Sequence, residues 1–392
     1  MFNQTIIAAI TLSTLGAIGA KPETDAVVAN VFRPTRRHFS EERMQQLKLP
    51  PRLKINVFAK DMGHARMLAI AEDGTVFLTR PAQGIVSALR DENGDGVAEK
   101  NEEVITGIKE VHGITLHDNF LYIATTKQLL RAPLSGGKPG KPEILIKDFP
   151  DGGQHSKRTI AFGPDGALYF SVGSSCNNCE EENPEHATIL RIDPKSWQRK
   201  IFAKGLRNTI GFAWHPQTKE FWGMDHGSDD RGYNVPPEEL NLLKENSDYG
   251  WPFCFGQNII VKKANEPKSG TKEEHCAKAI APELEYQAHS APIDFAFYTG
   301  SIFPAEYRND AFFASRGSWN RKPATGYKIV RIHFENGKPV AFQDFVSGFL
   351  IEDGQAFFGR LAGVAVAKDG SLLFSDDTNG VIYRVSYSNP AK

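Results

Sequence analysis

Two loop positions combine residue types that could carry out acid–base chemistry on a hydroxyl group. His155 lies in the loop before the apolar run that starts at Ile160, and an imidazole there can act as a general base near neutral pH. Arg207 and Asn208 precede a similar run. A guanidinium binds carboxylates through two hydrogen bonds and stabilises a developing oxyanion. The local sequence is also typical of a hydrogen-bonded loop histidine and of a surface ion pair.

The acidic turn Asp91–Gly96 has the residue types of a calcium site. Asp91, Asn93, Asp95 and Glu102 match the ligand spacing of an EF-hand loop. Ca²⁺ prefers oxygen ligands of this kind. No helical pattern flanks the turn, so we expect a calcium-bound turn of a β-domain rather than an EF-hand. A solvated turn without a metal is the alternative.

An apolar run, a turn and a second apolar run recur along the chain, and this pattern predicts the elements that position these residues. Runs of about five apolar residues between turn formers are typical of short strands. The first three spacings between repeat starts are 46, 46 and 50 residues. A propeller blade has a period of roughly 40–50 residues. The repeats start at Leu68, Ile114, Ile160, Ile210, Ile293 and Val364.

We therefore predict an all-β fold, a six-bladed β-propeller with long loop insertions over one face. Repetition around an axis leaves few open strand edges and brings loops from distant parts of the chain to one channel. The insertions at 226–290 and 316–360 are expected to form a rim over one end. The short strand Ile55–Ala59 is expected to close the ring against the C-terminal strand Val381–Val385.

The first twenty residues are typical of a secretory signal, because an apolar stretch ends at small residues before Lys21. A membrane anchor is the alternative, but the apolar run is short for a bilayer span. We predict a signal peptide at 1–20, a leader at 21–50 and the propeller domain at 51–392. The protein would be periplasmic or secreted, without stable membrane insertion. The net charge of −1 gives no global field that favours binding to nucleic acid.

The chain has four cysteines, and an even number in an exported chain indicates disulfide bonds. Cys254 and Cys276 are the favoured pair, and their bond would close a charged loop. For Cys176 and Cys179 three interpretations stay open: a redox pair, a local disulfide or half of a zinc site.

A resemblance to a known family begins in the stretch Gly205–Gly256. Together with the stretches Asp151–Glu182 and His289–Tyr327, its motifs resemble the PQQ-dependent soluble sugar dehydrogenases, the glucose/sorbosone dehydrogenase family. The motifs of the first stretch are GLRN at Gly205–Asn208, the acidic glycine turn at Asp225–Ser228, PPEELN at Pro236–Asn241 and YGWP at Tyr249–Pro252. The resemblance covers most of the chain beyond residue 50.

This resemblance implies roles for the two loop positions and for a metal. His155 would remove the hydroxyl proton of the substrate while a hydride passes to the quinone carbon of PQQ. Arg207 would contact the reactive quinone oxygens, with Asn208 beside it. The cofactor calcium would be bound by backbone carbonyls of the turn at Gly227 and Ser228, together with PQQ.

PQQ is a tricarboxylate, so its site must supply several cations. Arg321 and Arg360 look like the carboxylate-binding basic residues of the family. In an alternative register, Arg316 or Lys322 takes the role of Arg321. Ala362 stands where a relative carries a second arginine, which leaves the number of carboxylate contacts open.

Further residues are candidates for the lining of the cofactor and substrate pocket. Trp319 and Trp251 could stack on a flat ring or could instead pack in the fold. His289, in a motif that resembles a family pattern, His64 and Arg66 could line the pocket or could be hydrogen-bonded loop residues.

The sequence therefore predicts a PQQ- and Ca²⁺-dependent oxidoreductase that oxidises an aldose sugar or a related hemiacetal or alcohol. Electrons would pass to an external acceptor, such as a cytochrome or a quinone, because the chain has no covalent haem motif: Glu180 rather than histidine follows Cys179. The alternatives are a calcium-dependent propeller hydrolase such as a lactonase, and a binding module without catalytic activity.

Overall fold

The computed structural model describes residues 31–388, whose regular structure is almost entirely β. The predicted signal sequence, residues 1–20, lies outside the described residues. Between residues 31 and 388, no helix is long and apolar enough to cross a lipid bilayer. The all-β class that the repeats predict is confirmed.

Six antiparallel sheets, named A to F here in chain order, contain most strands of the described residues. Sheet A consists of Leu68–Ile70, Val76–Arg80, Ile85–Arg90 and Lys100–Ile105. Sheet B consists of Ile114–His117, Phe120–Ala124, Leu129–Ser135 and Glu143–Ile146, with Lys138–Pro139 also beside its third strand. Sheet C consists of Ile160–Phe162, Leu168–Val172, Thr188–Ile192 and Arg199–Lys204, with Ser247–Asp248 parallel to the last.

The other three sheets repeat the arrangement. Sheet D consists of Gly211–Trp214, Phe221–Asp225, Glu238–Leu242 and Leu284–Tyr286. Sheet E consists of Pro292–Phe297, Ala311–Ser315, Lys328–Glu335 and Lys338–Val346. Sheet F consists of Leu361–Val366, Leu372–Asp376, Val381–Tyr387 and Leu53–Ala59. The last two strands of sheet F pair with each other, so the predicted contact between the early strand and the C-terminal strand is confirmed.

Neighbouring sheets pack face to face, and alternate residues of one strand serve two different hydrophobic clusters. In the second strand of sheet A, Phe77 packs with residues of sheet B, whereas Val76 and Leu78 pack with residues of sheet F. Successive side chains of a strand point to opposite faces, so a strand between two sheets carries consecutive apolar residues where both faces are covered, as at Val76, Phe77 and Leu78. Similar clusters join B to C, C to D, D to E and E to F.

The first strand of each sheet is antiparallel to the second, so the start of the first strand and the end of the second lie at the same end of the sheet. We call this end of all six sheets the site end. The predicted base His155 and the pair Arg207-Asn208 both precede first strands, and Arg360 precedes the first strand of sheet F. The topology therefore brings residues from distant loops to equivalent positions.

The two predicted insertions are only partly loops, because they contain the third and fourth strands of sheets D and E. The loops that leave the second strands at the site end are 226–237 and 316–327. The long connection 243–283 instead starts at the opposite end of sheet D, since Glu238–Leu242 runs away from the site end. It carries a hairpin of Cys254–Phe255 and Ile259–Ile260 and the helix Lys272–Cys276, which a capping box at Thr271 and Glu274 begins.

A few short elements complete the described chain. Ala356–Phe357 pairs with Thr35–Arg36 in parallel and with Leu350–Ile351 in antiparallel orientation. The helix Glu41–Gln45 starts at the N-cap Ser40, and 3₁₀ turns span Ala305–Tyr307 and Glu352–Gly354.

Candidate active site

His155 is held in one tautomer by the loop after the second strand of sheet C. Its Nδ1 lies 2.8 Å from Oγ and 3.1 Å from the carbonyl oxygen of Ser174. The Ser174 hydroxyl donates its hydrogen to the Cys176 carbonyl at 2.7 Å. Both Ser174 oxygens therefore accept from Nδ1–H, and in the neutral ring Nε2 carries no hydrogen.

The protonation state of His155 follows from its surroundings. Burial, followed by the positive charge of Arg207 and the neighbouring His226, lowers the pKa of His155 to about 3. Desolvation and a nearby cation both disfavour the imidazolium. At physiological pH His155 is therefore neutral, with a basic nitrogen on the side of the ring that faces away from Ser174.

Arg207 is buried, with a side chain only 3% exposed, and is fixed by oxygen acceptors on two loops. Nε donates to the carbonyl of Asn177 at 2.9 Å, and Nη2 donates to Oδ1 of the same residue at 2.8 Å. Nη1 donates to the carbonyl of Gly227 at 2.9 Å, and Nη2 also reaches Asp229 at 3.3 Å. These bonds use four of the five N–H groups of a guanidinium and hold the cation in one orientation.

Asp225, the last residue of the second strand of sheet D, shapes the loop that carries Arg207. Its carboxyl oxygens accept the backbone N–H groups of Arg207 at 3.0 Å and Asn208 at 2.9 Å. Burial raises the pKa of Asp225 to about 6. Asp376 holds the loop of Arg360 in the same way, with the backbone N–H of Arg360 at 3.0 Å. A carboxylate at the end of a second strand thus fixes the turn before the neighbouring first strand.

Asn208 and His155 approach each other closely because a glycine lies between them. A Cβ atom at Gly173 would lie 2.6 Å from Oδ1 of Asn208 and 2.6 Å from Cβ of His155, which is closer than atoms can pack. The amide Nδ2 of Asn208 faces Nδ1 of His226 at 3.3 Å, and His226 Nε2 donates to the carbonyl of Pro292. The buried Asn208 therefore belongs to one group of side chains with the partly buried His155 and His226.

Two guanidinium groups share one buried carboxylate at the site end of sheets A, E and F. Arg66 Nη1 lies 2.7 Å and Arg316 Nη2 lies 2.8 Å from Oδ2 of Asp377. Burial alone would raise the pKa of Asp377, but Arg316 and Arg66 hold it below its ordinary value. His64 lies 3.6 Å from the same carboxylate. With two guanidinium cations and one carboxylate, this group carries a net positive charge.

Two arginines have buried N–H donors without acceptors among the described residues. Arg321 binds Oδ1 of Asn234 through Nη2 at 2.8 Å, but its Nε and Nη1 have no partner. Arg360 reaches the carbonyl of Gly317 through Nη2 at 3.3 Å, and its Nε has no partner. A buried donor without an acceptor costs about 1–3 kcal/mol. These donors fit an anionic ligand with several carboxylates, such as PQQ.

The sequence of residues 47–388 matches the family model described as TrAA12-like. The chain belongs to the TrAA12-like family. An uncharacterized protein of Borreliella burgdorferi is 31% identical over 372 residues, which cover 89% of this chain and 93% of that protein. The aldose sugar dehydrogenase YliI of Escherichia coli is 27% identical over 195 residues, which cover 48% of this chain and 44% of that enzyme.

A solved structure shows the same fold as this TrAA12-like protein. The holo form of the pyranose dehydrogenase PQQ domain from Coprinopsis cinerea aligns with a TM-score of 0.74 and 19% sequence identity, and covers 90% of this chain and 98% of that chain. Several curated relatives and solved structures carry the name of PQQ-dependent sugar dehydrogenases, which confirms the resemblance that the sequence predicts.

Two predicted cofactor-binding residues of the TrAA12-like protein have protein partners. His289 donates from Nε2 to the carbonyl of Gly232 at 2.7 Å, and its Nδ1 faces the amide of Asn320 at 3.4 Å. Both of its ring nitrogens are therefore engaged within the protein. Trp319 lies under the guanidinium of Arg33 at 5.7 Å.

The turn predicted to hold the cofactor calcium lies beside Arg207. The carbonyl of Gly227 accepts from that guanidinium, which leaves one of its two lone pairs for a metal. Ser228 Oγ donates to the carbonyl of Asn177 at 3.1 Å and accepts from Nε1 of Trp251 at 3.2 Å. Two backbone carbonyls are far fewer than the roughly 6–8 oxygens that Ca²⁺ prefers, so a metal here fits only if a ligand supplies the rest.

The acidic turn of sheet A differs from the predicted ligand set in one residue. Carboxylate oxygens of Asp91, Asp95 and Glu99 lie within 4.8 Å of one another. Asn93 is close by, with Nδ2 3.2 Å from Asp95. Glu102 is not in this group, because it lies in the strand Lys100–Ile105 and pairs with Ala88. The carboxylate next to Asp91 and Asp95 is that of Glu99, whereas the EF-hand spacing predicts Glu102, because this turn leads directly into a strand.

The four cysteines form two disulfides, Cys176–Cys179 and Cys254–Cys276. The predicted pairing of Cys254 with Cys276 is confirmed. Of the three interpretations of Cys176 and Cys179, the structure has the local disulfide.

Some residues that the structure brings to the site end were given little or no role from the sequence. Arg316, given only as an alternative to Arg321, is a member of the Asp377 group, whereas Arg321 lies with Asn234. Asp377 and Asn177 were given no role, and His226 appeared only as a member of the turn Asp225–Ser228. One sequence signal could have pointed to this end of the sheets. The second strands of sheets D and F both end in an aspartate, Asp225 and Asp376.

Proposed function

We propose that this TrAA12-like protein is an exported six-bladed β-propeller that oxidises an aldose sugar, or a related hemiacetal or alcohol, with bound PQQ and Ca²⁺. The observation that carries the proposal is the presence, at the same end of the sheets, of a neutral, hydrogen-bonded histidine and of buried guanidinium donors that have no acceptor in the described part of the chain. A hydrolase would need no such group of cations.

The blade count is supported by the packing of the sheets. Each of the six hydrophobic clusters that join successive sheets has members from two neighbours, and one of them joins sheet F to sheet A. First strands of several neighbouring sheets also lie side by side. Six sheets joined in this order around an axis would form a propeller. The site ends of the sheets would then lie around one opening of its central channel.

His155 would act as the general base. Ser174 holds the ring in the tautomer whose Nε2 can accept a proton, and burial keeps that nitrogen free of a proton at neutral pH. When bound, PQQ supplies the two-electron oxidation of the substrate. Arg207 would stabilise negative charge that develops near it, because its guanidinium is already oriented and desolvated.

Arg321 and Arg360 would bind carboxylates of the cofactor through the donors that lack partners among residues 31–388. Arg66 and Arg316 would contribute positive potential from the Asp377 group. The carbonyls of Gly227 and Ser228 would hold Ca²⁺ together with oxygens of the cofactor. Electrons would leave to an external acceptor, a cytochrome or a quinone.

The test is reconstitution of the purified protein with PQQ and Ca²⁺, followed by turnover of a panel of aldoses and sugar alcohols with an artificial electron acceptor. We expect sugar-dependent reduction of the acceptor only when PQQ is present. His155→Gln should lower kcat by about 10²–10⁴-fold with nearly unchanged PQQ binding, and His38→Gln, at an exposed position, is the control. Hydrolysis of lactones with Ca²⁺ alone, without PQQ-dependent oxidation, would favour the hydrolase instead.

A further inference from the structure

The four-residue loop closed by the Cys176–Cys179 disulfide contacts Arg207 and the proposed metal turn. Asn177 offers two acceptors to Arg207, its backbone carbonyl to Nε at 2.9 Å and Oδ1 to Nη2 at 2.8 Å. The same Oδ1 accepts the backbone N–H of Asp229 at 2.8 Å. One side chain thus joins the guanidinium to the turn that follows Ser228.

The same loop also holds His155. The carbonyl of Cys176 accepts the Ser174 hydroxyl at 2.7 Å, and Ser174 Oγ accepts from Nδ1 of His155 at 2.8 Å. If the Cys176 carbonyl moved away, the Ser174 hydroxyl could turn and donate to the ring instead. The Ser174 carbonyl, 3.1 Å from Nδ1, would still accept from Nδ1–H, so the loop strengthens the preference for the tautomer with a free Nε2 and does not set it alone.

We propose that the Cys176–Cys179 loop is a redox-sensitive positioning element, with Asn177 as the residue that orients Arg207 and Cys176 as the residue that orients His155 through Ser174. Its effect on turnover rests on the proposed function. Neither Asn177 nor Cys176 is a catalytic residue in this proposal, since each acts through another side chain.

Reduction of the loop requires a dithiol reductant. The reductant attacks one sulfur of the disulfide through its thiolate, and its second thiolate then releases the mixed disulfide. Two electrons and two protons are transferred: the loop gains two thiols, and the reductant becomes a disulfide. Cys176 and Cys179 are half-buried rather than fully enclosed, so a small dithiol can reach them. The open loop loses the covalent constraint that keeps Asn177 and Cys176 at their contacts.

The first experiment compares the two disulfides. In PQQ-loaded protein, the double variant Cys176→Ser with Cys179→Ser should lower kcat by about 10²-fold, because a displacement of about 1 Å in a reacting group costs that much. The double variant Cys254→Ser with Cys276→Ser is the control for loss of a disulfide in general. Equal kcat values for wild type and the Cys176/Cys179 variant would overturn the proposal, as would an equal loss in both double variants.

The second experiment tests Asn177 directly. Asn177→Ala should lower kcat with little change in KM, and Asn177→Asp should restore most of the rate because it keeps an acceptor oxygen for Arg207. Asn183→Ala is the matched control, since the exposed Asn183 side chain accepts only a backbone N–H, that of Glu185 at 3.0 Å. A loss that Asn177→Asp does not recover would contradict a positioning role through Arg207.

A third measurement needs neither PQQ nor turnover. In labelled cofactor-free protein, the NMR titration midpoint of His155 should rise from about 3 toward 6.5 in the Cys176/Cys179 variant, as the ring gains water and distance from Arg207. The charged or titratable groups that face this ring are Arg207, His226 and Arg158. An unchanged midpoint would overturn the proposal. The NMR measurement therefore tests the positioning role independently of the proposed function. If the proposed function were wrong, wild-type protein would show no PQQ-dependent turnover.

Discussion

Nδ1 of His155 and Oγ of Ser174 lie 2.8 Å apart, and this contact fixes which ring nitrogen can accept a proton. The two residues come from different loops of sheet C, one before its first strand and one after its second. The antiparallel pairing of those strands, with Ile160 opposite Phe170, sets the distance between the loops. The register of sheet C therefore helps to position His155, the proposed base.

The pH dependence of the reaction should reflect the buried state of His155. Because burial lowers its pKa to about 3, the base stays neutral well below pH 6.5. We expect kcat/KM to show no acid limb with a midpoint near the ordinary value of histidine, since this ratio reports ionisations of the free enzyme and the free substrate. Initial rates between pH 4 and 8 with a non-ionising sugar would check this. A limb near 6.5 that disappears in His155→Gln would contradict it.

Arg321 and Arg360 should each contribute to cofactor affinity. Alanine at either position removes a charge-assisted hydrogen bond, which costs about 1.5–3 kcal/mol, or roughly tenfold or more in the dissociation constant of PQQ. Arg308→Ala, at an exposed position, is the control. Titration of cofactor-free protein with PQQ measures the effect. Equal affinity of Arg321→Ala and the control would place Arg321 outside the cofactor site and leave the role to Arg316.

Arg207 should differ from these two residues in its effect on turnover. Arg207→Lys keeps a positive charge but cannot bind both oxygens of Asn177 and the Gly227 carbonyl in one plane. At saturating PQQ we therefore expect kcat to fall by about 10²-fold in this variant, whereas Arg360→Lys should retain most of its kcat. Steady-state kinetics at several PQQ concentrations separate the two effects. Full recovery of kcat in Arg207→Lys at high PQQ would make Arg207 a binding residue only.

Glu239 should make the stability of the protein depend on pH. Burial raises the pKa of Glu239 to about 8, with a further contribution from Asp225, the residue opposite it on the neighbouring strand. Because the pKa of Glu239 is higher in the folded protein than its ordinary value of 4.5, this group contributes its full stabilisation at pH values below 4.5. The contribution is lost as the pH rises through about 8. Glu239→Gln should reduce the fall in unfolding free energy between pH 5 and 8 by up to about 1.4 kcal/mol per pH unit. Urea denaturation, with the exposed Glu72→Gln as control, measures it. An unchanged slope would show that Glu239 is ionised.

Calcium should bind at two places with different dependence on the cofactor. Metal at Gly227 and Ser228 needs further oxygens from PQQ, so each ligand should raise the affinity of the other by the same factor. Metal at Asp91, Asp95 and Glu99 should not respond to PQQ. Calorimetric titration of chelator-treated protein, with and without PQQ, distinguishes the two, and Asp91→Asn with Asp95→Asn should remove only the independent event. If all bound calcium ignored PQQ, the metal would not belong to the cofactor site.

The sequence predicted the strands of each repeat because their signal is local. Apolar runs such as Leu168–Val172, bounded by turn residues, identify a strand without knowledge of its neighbours. The same local pattern placed His155 and Arg207 before first strands. The antiparallel pairing within sheets C and D then places both His155 and Arg207 at the site end of their sheets.

The polar contacts of the site could not be predicted in this way, because they join residues from different sheets. Nothing near Asp377 in the sequence indicates that Arg66 and Arg316 will share its carboxylate. Asn177 likewise gains its importance only from the approach of Arg207. The EF-hand spacing around Asp91 assumes a loop between helices, whereas this turn enters a strand at Lys100, and the structure brings Glu99 rather than Glu102 next to Asp91 and Asp95.

Sheet F has a consequence for the biogenesis of the protein. Its outer strand Leu53–Ala59 is made before every other strand of the six sheets, but its partner Val381–Tyr387 is made last. Synthesis proceeds from the N-terminus, so the early strand emerges with no partner, and its free edge can pair with another chain. The nascent protein therefore needs protection from association until nearly the whole chain is available, and the final pairing completes its maturation.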